Sequence, residues 1–558
     1  MAGQDICSRD NGAATGKGHI YLKRMGVSFV LVAALAALIW NVSVEPLDHG
    51  YPRYTAIADA MVRTGDWIVP RLDDKVYIQK PPLFIWLIAI PIALTGRVSE
   101  WAGHLPNVIA SLGTLFGVYL FSRRIFGSKE NALLSILILV TSYDFSQHTR
   151  DERLDMVFTV FMVGAFLYFY QAVTSVPPGR GRTMRIMTCY TFVALATLTK
   201  GPVGLLFFLA VTIPFAFWTG KGRIILAKEC LIGYGIFLAI CSIWPLLFIA
   251  KVGFQEALSA FQSTEMMTRR EGPFYYLIRL PVIFSPWSFF LPAVVIWLVR
   301  EKPYRESAGI RFLLCWFAAF FLLLNLSPTK STRYLLPTIP ALALLTAGFV
   351  YSTIPGTISS VSKWMARLRD GTLWLLLGSL LAASLASPIL LSRAKEDLVF
   401  IIAGSLVAGI GSLTALWRFF RYRETVKTFF VVGVLILLLY AIFDVVKARR
   451  FIRSDTRVQA EQALAPITAG APARTYGLKK SQRQLLVTML TQRSVPPVST
   501  LPELKEWVNR EAGRDMFVVA DSQDMKELLA DPELSAETSA TFYLEKHEVK
   551  VVQIVAGK

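Results

Sequence analysis

Charged and aromatic side chains beside the apolar stretches of this chain could bind a phosphate at a membrane surface. Lys80 stands directly before two prolines and the apolar run that starts at Leu83. A cation there could meet the phosphate of a lipid carrier whose hydrocarbon tail stays in the bilayer, and guanidinium and phenol groups also suit phosphate oxygens. Residues that could share this task are Arg53, Tyr77, Lys330, Arg333 and Tyr334. The alternative is that these side chains extend to lipid head groups and anchor helices.

Two carboxylates are candidates for acid–base work beside such a phosphate. Asp155 lies at the mouth of an apolar span, and Asp48 lies in the polar stretch 45–82. A pair of carboxylates could activate an acceptor hydroxyl or orient a sugar while cations stabilise the departing phosphate. Asp151 would share a helix face with Asp155 if the helix began that early. Alternatively, Arg150 and Arg153 could make Asp155 part of a structural ion pair.

Other aspartates in the same polar stretch are given structural roles. Asp and Asn favour helix caps and turns because their short side chains hydrogen-bond to nearby backbone amides. The aspartates predicted to be caps, turns or solvated surface are Asp59, Asp66, Asp73 and Asp74.

The elements that must position these residues are membrane helices. The chain has 558 residues, of which 54% are hydrophobic and 17% are charged, and these proportions argue against a soluble enzyme. A bilayer core needs about 20 mostly apolar residues per helix, which predicts about thirteen transmembrane helices. Their approximate ranges are 27–44, 103–122, 131–147, 155–173, 186–199, 202–219, 228–250, 277–298, 310–326, 333–353, 372–392, 398–417 and 428–445.

The apolar stretch 83–96 is predicted to lie in the interface or to re-enter the membrane without crossing it. It is short and contains a proline. If it does not cross, the loops on the side of the N-terminus carry many more Lys and Arg residues than the short loops opposite, as the positive-inside rule requires. The N-terminus is therefore predicted to be cytoplasmic and the C-terminus to lie outside. The net charge of +19 is then largely a topology signal, and nucleic acid is not an expected partner.

The sequence predicts three regions of different composition. Residues 1–25 form a polar, basic cytoplasmic tail, and residues 26–450 form the transmembrane domain, with 45–82 as its first outer loop. Residues 451–558 are predicted to form a small α/β domain outside the membrane. Its strands are expected at RTYGL, DMFVVAD and VKVVQIV, and its helices at SQRQLLVTML, LPELKEWVN and SQDMKELLA.

No cofactor is indicated by a sequence motif. The five cysteines lie in the N-terminal tail or in apolar spans, so neither a disulfide framework nor a cysteine metal site is expected. No nucleotide fingerprint or Walker-type loop is present, which argues against ATP-driven transport.

The outer polar segments resemble a known family. PRYTAIADAMVRTGDWIVPRLDDKVYIQKPPLFIW is similar to the first outer loop of the aminoarabinose transferase group of GT-C glycosyltransferases, which are related to protein O-mannosyltransferases. RLDMVFTVF resembles the second aspartate motif of this family, and STRYLLPTIPALALL resembles a later outer motif. GPFYYLIRLPVIFSPWSFFLP is also similar. The matching residues of the first loop are Arg53, Tyr54, Gly65, Asp66, Trp67, Tyr77, Lys80 and Pro81.

The chain departs from the family pattern at several acids. The first family aspartate would fall at Gly50 and its neighbouring glutamate at Tyr51, so that Asp48, two residues upstream, is the nearest acid. The family glutamate before the phosphate-binding lysine is Gln79 here. A histidine expected before GPFYY is absent. A glutamate and a histidine are typical ligands of a divalent ion, and neither is present at these positions. No cofactor or metal ligand is therefore assigned, and a divalent metal is left as an open alternative.

The resemblance implies a polytopic α-helical GT-C fold and a multi-pass enzyme of the bacterial inner membrane. Such an enzyme takes a sugar from a polyprenyl (undecaprenyl) phosphate and passes it, on the periplasmic face, to a lipid A-like or other envelope acceptor. Asp155 and Asp48 would be catalytic, and Tyr334 would contact the carrier phosphate. The alternatives left open are a protein acceptor, a lipid-linked sugar transporter or flippase, and a non-catalytic lipid-binding relative.

Overall fold

The structure is a computed structural model that describes most of the chain after residue 52. The described residues are 53–72, 75–262, 271–354, 362–390, 398–422, 425–452, 455–478, 481–491, 495–511, 514–534, 536–544 and 547–554. The predicted tail, the first predicted span at 27–44, Asp48, Gly50 and Tyr51 lie outside these residues.

Helices make up most of the described chain. In chain order they are α1 (Arg53–Thr64), α2 (Leu83–Thr95), α3 (Glu100–Phe126), α4 (Lys129–Val140), α5 (Tyr143–His148), α6 (Asp155–Thr174), α7 (Arg180–Lys200), α8 (Val203–Trp218), α9 (Lys228–Val252), α10 (Phe254–Gln262), α11 (Tyr275–Ile283), α12 (Leu291–Arg300), α13 (Ala308–Leu326), α14 (Ile339–Ser352), α15 (Lys363–Leu390), α16 (Leu398–Tyr422) and α17 (Thr425–Ile452). After α17 come α18 (Asp455–Ala463), α19 (Ala465–Thr468), α20 (Ser481–Thr491), α21 (Leu501–Arg510) and α22 (Ser522–Ala530).

Seven helices of the described chain are long and apolar enough to cross a membrane, or eight if one bent pair counts as a single span. Their ranges are Trp101–Phe126, Asp155–Thr174, Lys228–Val252, Ala308–Leu326, Thr332–Ser352, Lys363–Ile389 and Ile401–Arg421. The chain is therefore a polytopic helical protein. The larger predicted number, about thirteen, stays a prediction.

The apolar stretch 83–96, which is predicted not to cross the membrane, corresponds to the short helix α2. It has 13 residues and contains Pro91. At about 1.5 Å per residue, α2 is about 20 Å long, and the hydrocarbon core of a bilayer is about 30 Å thick. One face of α2, with Phe84, Ile85 and Ile88, is buried in the helical core.

The span predicted at 131–147 is two helices. α4 ends at Val140, and α5 begins at Tyr143. Side chains from distant segments bond to Thr141 at the break. Trp287 Nε1 donates to Thr141 Oγ1 at 2.8 Å, and Tyr440 donates to the Thr141 carbonyl oxygen at 3.1 Å. These bonds partner polar groups that the break leaves without helical partners.

The span predicted at 277–298 is bent. Helix α11 and the segment Trp287–Arg300 meet at an angle of 114°. The break contains Ser285 and Pro286, and proline cannot donate the amide hydrogen bond that would continue a helix. The single straight helix implied by the hydropathy pattern is therefore wrong in this region.

Helices α6 and α7 position the centre of the site. They pack against each other, and α6 is almost entirely buried. Gly164 allows a close approach, because a Cβ there would lie 3.0 Å from the Phe192 ring. Helix α7 ends where Gly201, with a φ of 91°, precedes Pro202. This packing brings the first residue of α6 and the last residue of α7 to the same end of the pair.

The predicted α/β segment after residue 450 is present. Strands β3 (Ala473–Tyr476), β4 (Pro497–Val498), β5 (Met516–Asp521), β6 (Ala536–Leu544) and β7 (His547–Ile554) form a sheet in the order β4-β3-β5-β7-β6. The first three strands in this order are parallel, and β7 is antiparallel to both β5 and β6. The three predicted strands and the three predicted helices are all confirmed. In the first outer loop, β1 (Arg71–Leu72) and β2 (Lys75–Val76) form a small antiparallel pair.

Candidate functional site

The centre of the candidate site is a buried ion pair between α6 and α7. Lys200 Nζ donates to Asp155 Oδ1 at 2.5 Å. The Asp155 side chain is only 3% exposed and that of Lys200 is 11% exposed. The lysine ammonium also lies over two aromatic rings, 4.6 Å from the centroid of Tyr334 and 5.1 Å from that of Phe158. Asp155 is thus held by a cation that the aromatic rings also stabilise.

Arg333 is the second cation at Asp155. Its Nε lies 3.7 Å from Asp155 Oδ2, and its guanidinium carbon lies 5.6 Å from the centroid of the Tyr334 ring. The Arg333 side chain is one third exposed. Both oxygens of Asp155 are therefore close to cations, while part of the guanidinium remains open to a ligand. The structure brings Asp155, Arg333 and Tyr334 together, as the sequence predicts.

Lys80 is the third cation at this place. The pKa of Lys80 is lowered from its ordinary value, first by burial and then by the positive charges of Lys200 and Arg333, while the charge of Asp155 opposes the shift. Lys80 is half-buried in the loop that leads into α2. Lys80 is therefore within electrostatic range of Lys200, Arg333 and Asp155, and the excess of positive charge suits an anionic group such as a phosphate.

Arg53, Tyr54 and Tyr77 form a polar group next to these cations. The Tyr77 hydroxyl is hydrogen-bonded to both Arg53 and Tyr54. The Tyr54 and Tyr77 rings meet edge to face at 6.5 Å. Arg53 Nε is buried and has no hydrogen-bond partner among the described residues. Tyr54 interacts electrostatically with Asp155 and Arg333, so this polar group lies beside the ion pairs of Asp155.

The motif Gly65-Asp66-Trp67 supports the loop that carries Lys80. Asp66 Oδ1 accepts the amide hydrogens of Ile68 and Val69, each at 3.1 Å, and pairs with Lys251 Nζ at 2.8 Å. Trp86 Nε1 donates to the Trp67 carbonyl oxygen at 2.8 Å. The prediction that Asp66 caps a turn is confirmed. These bonds attach the loop between α1 and α2 to α2 and α9.

Lys330 bonds to backbone carbonyl oxygens of a distant segment. Its ammonium donates to the Gly272 carbonyl oxygen at 2.9 Å and to that of Glu271 at 3.5 Å, and the residue is 5% exposed. Nearby, the Ser331 amide donates to the Tyr276 hydroxyl at 3.2 Å. Lys330 therefore joins two outer segments, and the structure supports a structural role for it.

Replacement of Lys330 by methionine is expected to lower thermal stability and to leave carrier binding unchanged. The two carbonyl oxygens would lose a charged donor, which costs about 2 kcal/mol when such groups are buried. Thermal unfolding in detergent, with and without a polyprenyl phosphate, measures both properties. Lys363→Met, at an exposed lysine, is the control. If Lys330→Met weakened carrier binding without changing thermal stability, Lys330 would be assigned to the phosphate site after all.

The loop before α6 does not place Asp151 beside Asp155. The helix begins at Asp155 itself, so the two aspartates do not share a helical face. Asp151 instead pairs with Arg153 at 3.0 Å. Lys200 and Arg333 form ion pairs with Asp155.

Lys200 is the site residue that the sequence reasoning missed. It ends a largely apolar helix and is followed by Gly201 and Pro202. An ionisable side chain in such a helix is a functional candidate by default, and this was the available signal. Its partner could not be read from the sequence because Asp155 lies 45 residues away.

The described residues offer no candidate metal site. Among the described ranges, no group of three or more His, Cys, Asp or Glu residues could hold a metal ion. The predicted partner carboxylate, Asp48, lies outside the described residues. The arrangement can bind an anion at the end of apolar helices and stabilise negative charge as it develops there.

Comparisons with known proteins agree with the resemblance found in the sequence. Residues 79–248 match the family model of dolichyl-phosphate-mannose-protein mannosyltransferases. The chain is 30% identical to an uncharacterised protein of Aquifex aeolicus over 58% of this chain and 63% of the relative. It is 26% identical to an undecaprenyl phosphate-alpha-4-amino-4-deoxy-L-arabinose arabinosyl transferase of Pseudomonas aeruginosa, strain LESB58, over 66% of each chain. The matches therefore span just under two thirds of these relatives.

A solved structure shares the fold along nearly the whole chain. The crystal structure of ArnT from Cupriavidus metallidurans bound to undecaprenyl phosphate superposes with a TM-score of 0.71. The superposition covers 95% of this chain and 98% of that one, at 18% identity. The apo structure of the same protein also has a TM-score of 0.71. The predicted polytopic helical fold is confirmed, and so is the resemblance to this group of transferases.

Proposed function

We propose that this chain, a relative of the GT-C glycosyltransferases of the aminoarabinose transferase and protein mannosyltransferase group, is itself a membrane glycosyltransferase. It takes a sugar from a polyprenyl (undecaprenyl) phosphate and transfers it to a lipid A-like or other envelope acceptor. The observation that carries the proposal is the cluster of Lys80, Lys200 and Arg333 around Asp155 at one end of an apolar helical bundle. A lipid carrier with its tail in the bilayer would present its phosphate at this level.

The carrier phosphate is held by cations and hydroxyl groups. Lys80 and Arg333 supply charge, and Arg53, Tyr77 and Tyr334 donate hydrogen bonds to the phosphate or pack beside it. During transfer the bond between the sugar carbon and the phosphate oxygen breaks, and the phosphate keeps the electron pair. Cations fixed before the reaction stabilise this charge at little reorganisation cost.

Asp155 orients the groups that react. Its two oxygens are paired with Lys200 and Arg333. Its main contribution is therefore to place Lys200 and Arg333 and to accept a hydroxyl hydrogen from the sugar or the acceptor. The acceptor oxygen bonds to the sugar carbon and gives up its proton. Asp48 is the candidate for receiving it.

The topology follows from the sequence and is part of the proposal. About thirteen helices cross the membrane, counting about 20 residues for each. The N-terminus is cytoplasmic, and the α/β domain of residues 451–558 lies in the periplasm of a bacterial cell. The transfer site is then at the periplasmic face, where envelope acceptors are found.

Transfer with purified protein tests the proposal. The chain in detergent or proteoliposomes is incubated with undecaprenyl phosphate sugars and with lipid A or a peptide, and the products are identified by mass spectrometry. Loss of one sugar from one envelope component after gene deletion would identify donor and acceptor together. Carrier binding without any turnover would favour a lipid-binding protein, and uptake of the lipid-linked sugar into vesicles would favour a transporter. Either result would contradict the proposal.

A further inference from the structure

Glu152 is a buried carboxyl group with a partner from a distant part of the chain. Its Oε1 accepts the backbone amide hydrogen of Thr55 at 2.6 Å, across 97 sequence positions. The residue is 2% exposed. Glu152 lies in the short loop between α5 and α6, three residues before Asp155.

The bond lies near the described start of α1. The described part of this helix begins at Arg53, two residues before Thr55. A backbone amide that has no partner within its helix usually bonds to a nearby side chain, which then acts as a cap. Here the acceptor comes from another loop, so the cap holds this part of α1 against that loop.

The loop that carries Glu152 is itself anchored. Asn107 of α3 donates through Nδ2 to the carbonyl oxygens of Asp151 and Arg153, the second at 2.7 Å. The two residues that flank Glu152 are therefore attached to the long helix α3 through its buried residue Asn107. Glu152 then provides a fixed point against which the start of α1 is placed.

We propose that Glu152 is a positioning residue that joins the two halves of the carrier site. On one side it caps the turn that presents Arg53 and Tyr54 to Tyr77. On the other side it precedes Asp155, which holds Lys200. The inference rests on the proposed function, since it names the residue that sets the distance between the phosphate-binding side chains and Asp155.

The cap works through an uncharged or weakly ionised group. Burial raises the pKa of Glu152 to about 8, although the amide hydrogens of Thr55 and Tyr54 oppose this shift. The group is therefore mostly protonated at neutral pH. Glutamine has the same length and keeps a carbonyl oxygen as acceptor, so Glu152→Gln should preserve the cap.

Three variants test the proposal in the purified full-length protein. Glu152→Ala removes the acceptor and Glu152→Gln keeps it. Asp59→Asn, which neutralises a carboxylate of α1 that pairs with Arg63 on the same helix, is the matched control. The measurements are amide hydrogen exchange of residues 53–64, the KM for an undecaprenyl phosphate sugar, kcat, and stabilisation by undecaprenyl phosphate.

In Glu152→Ala, exchange of α1 should rise and the donor KM should increase about tenfold, as expected for the loss of a buried cap. The change in kcat should be smaller. Glu152→Gln and Asp59→Asn should stay within about twofold of the wild type. Unchanged exchange and KM in Glu152→Ala would overturn the proposal, and so would a Gln variant as impaired as the Ala variant. If the wild type transferred no sugar, the proposed function would fall, while exchange and undecaprenyl phosphate binding would still decide the role of Glu152.

Discussion

Replacing Asp155 with asparagine is expected to lower kcat/KM for sugar transfer by about 10³-fold, within the range for loss of one charged group that acts in a preorganised site. In the wild type, Lys200 and Arg333 lie 2.5 and 3.7 Å from the two carboxylate oxygens of Asp155. The amide has the size of the carboxylate but carries no negative charge to neutralise these cations. Both cations would then move from their positions. Initial rates with a fixed acceptor and varied donor measure the effect.

A second variant separates catalysis from folding in this experiment. Asparagine leaves the Lys200 ammonium buried without its carboxylate, and breaking one side of a buried pair costs about 3–5 kcal/mol. The double variant Asp155→Asn with Lys200→Met removes both charges and should regain stability without activity. Asp151→Asn, at an aspartate paired with Arg153, is the nearby control and should remain active. An active double variant would show that Asp155 and Lys200 form a structural pair only.

Replacing Lys80 with alanine is expected to weaken binding of the carrier phosphate by about 100-fold, since a charge-assisted bond at a partly buried site contributes about 2–3 kcal/mol. The lysine lies among the cations of the site and at the entrance to α2. The loss should appear in the donor KM and in the stabilisation that undecaprenyl phosphate gives to the protein. Lys75→Ala, at an exposed lysine in the same outer loop, is the control. Equal donor KM values for wild type and Lys80→Ala would remove Lys80 from the phosphate site.

The same lysine is expected to give carrier binding an alkaline limit. Burial and the neighbouring charges of Lys200 and Arg333 lower the pKa of Lys80. Carrier binding favours the charged ammonium, so affinity should fall as pH rises through a value below that of an ordinary lysine. Lys80→Arg should move this limit upward, because arginine stays protonated throughout the range. A carrier affinity that falls at the same pH in both proteins would contradict the assignment.

The sequence predicted the helices and strands whose formation depends on the residues within each segment. The apolar run of α6, the short α2 with its proline, and the strands β3, β5 and β7 all follow from periodicity and length. The break at Thr141 was not predictable in this way. It depends on hydrogen bonds from Trp287 and Tyr440, which lie far along the chain. The bend after Ile283 likewise separates two helices that hydropathy alone merges.

The same division holds for the candidate site. The residues of the outer polar segments could be named from their types, and Arg53, Tyr77, Lys80, Asp155, Arg333 and Tyr334 do converge. The ion pair of Asp155 could not be predicted from the sequence, because Lys200 reaches Asp155 only through the packing of α6 against α7. Lys330 has the same type and setting as Lys80 in the sequence, yet it bonds to backbone carbonyl oxygens.

The pair between Asp155 and Lys200 gives the site an internal counterion. A cluster of ammonium and guanidinium groups without an anion would be unstable at low dielectric. Asp155 supplies that anion. In the proposed function, the carrier phosphate is a second anion that binds beside the same cations, while Asp155 continues to hold Lys200 and Arg333 in place.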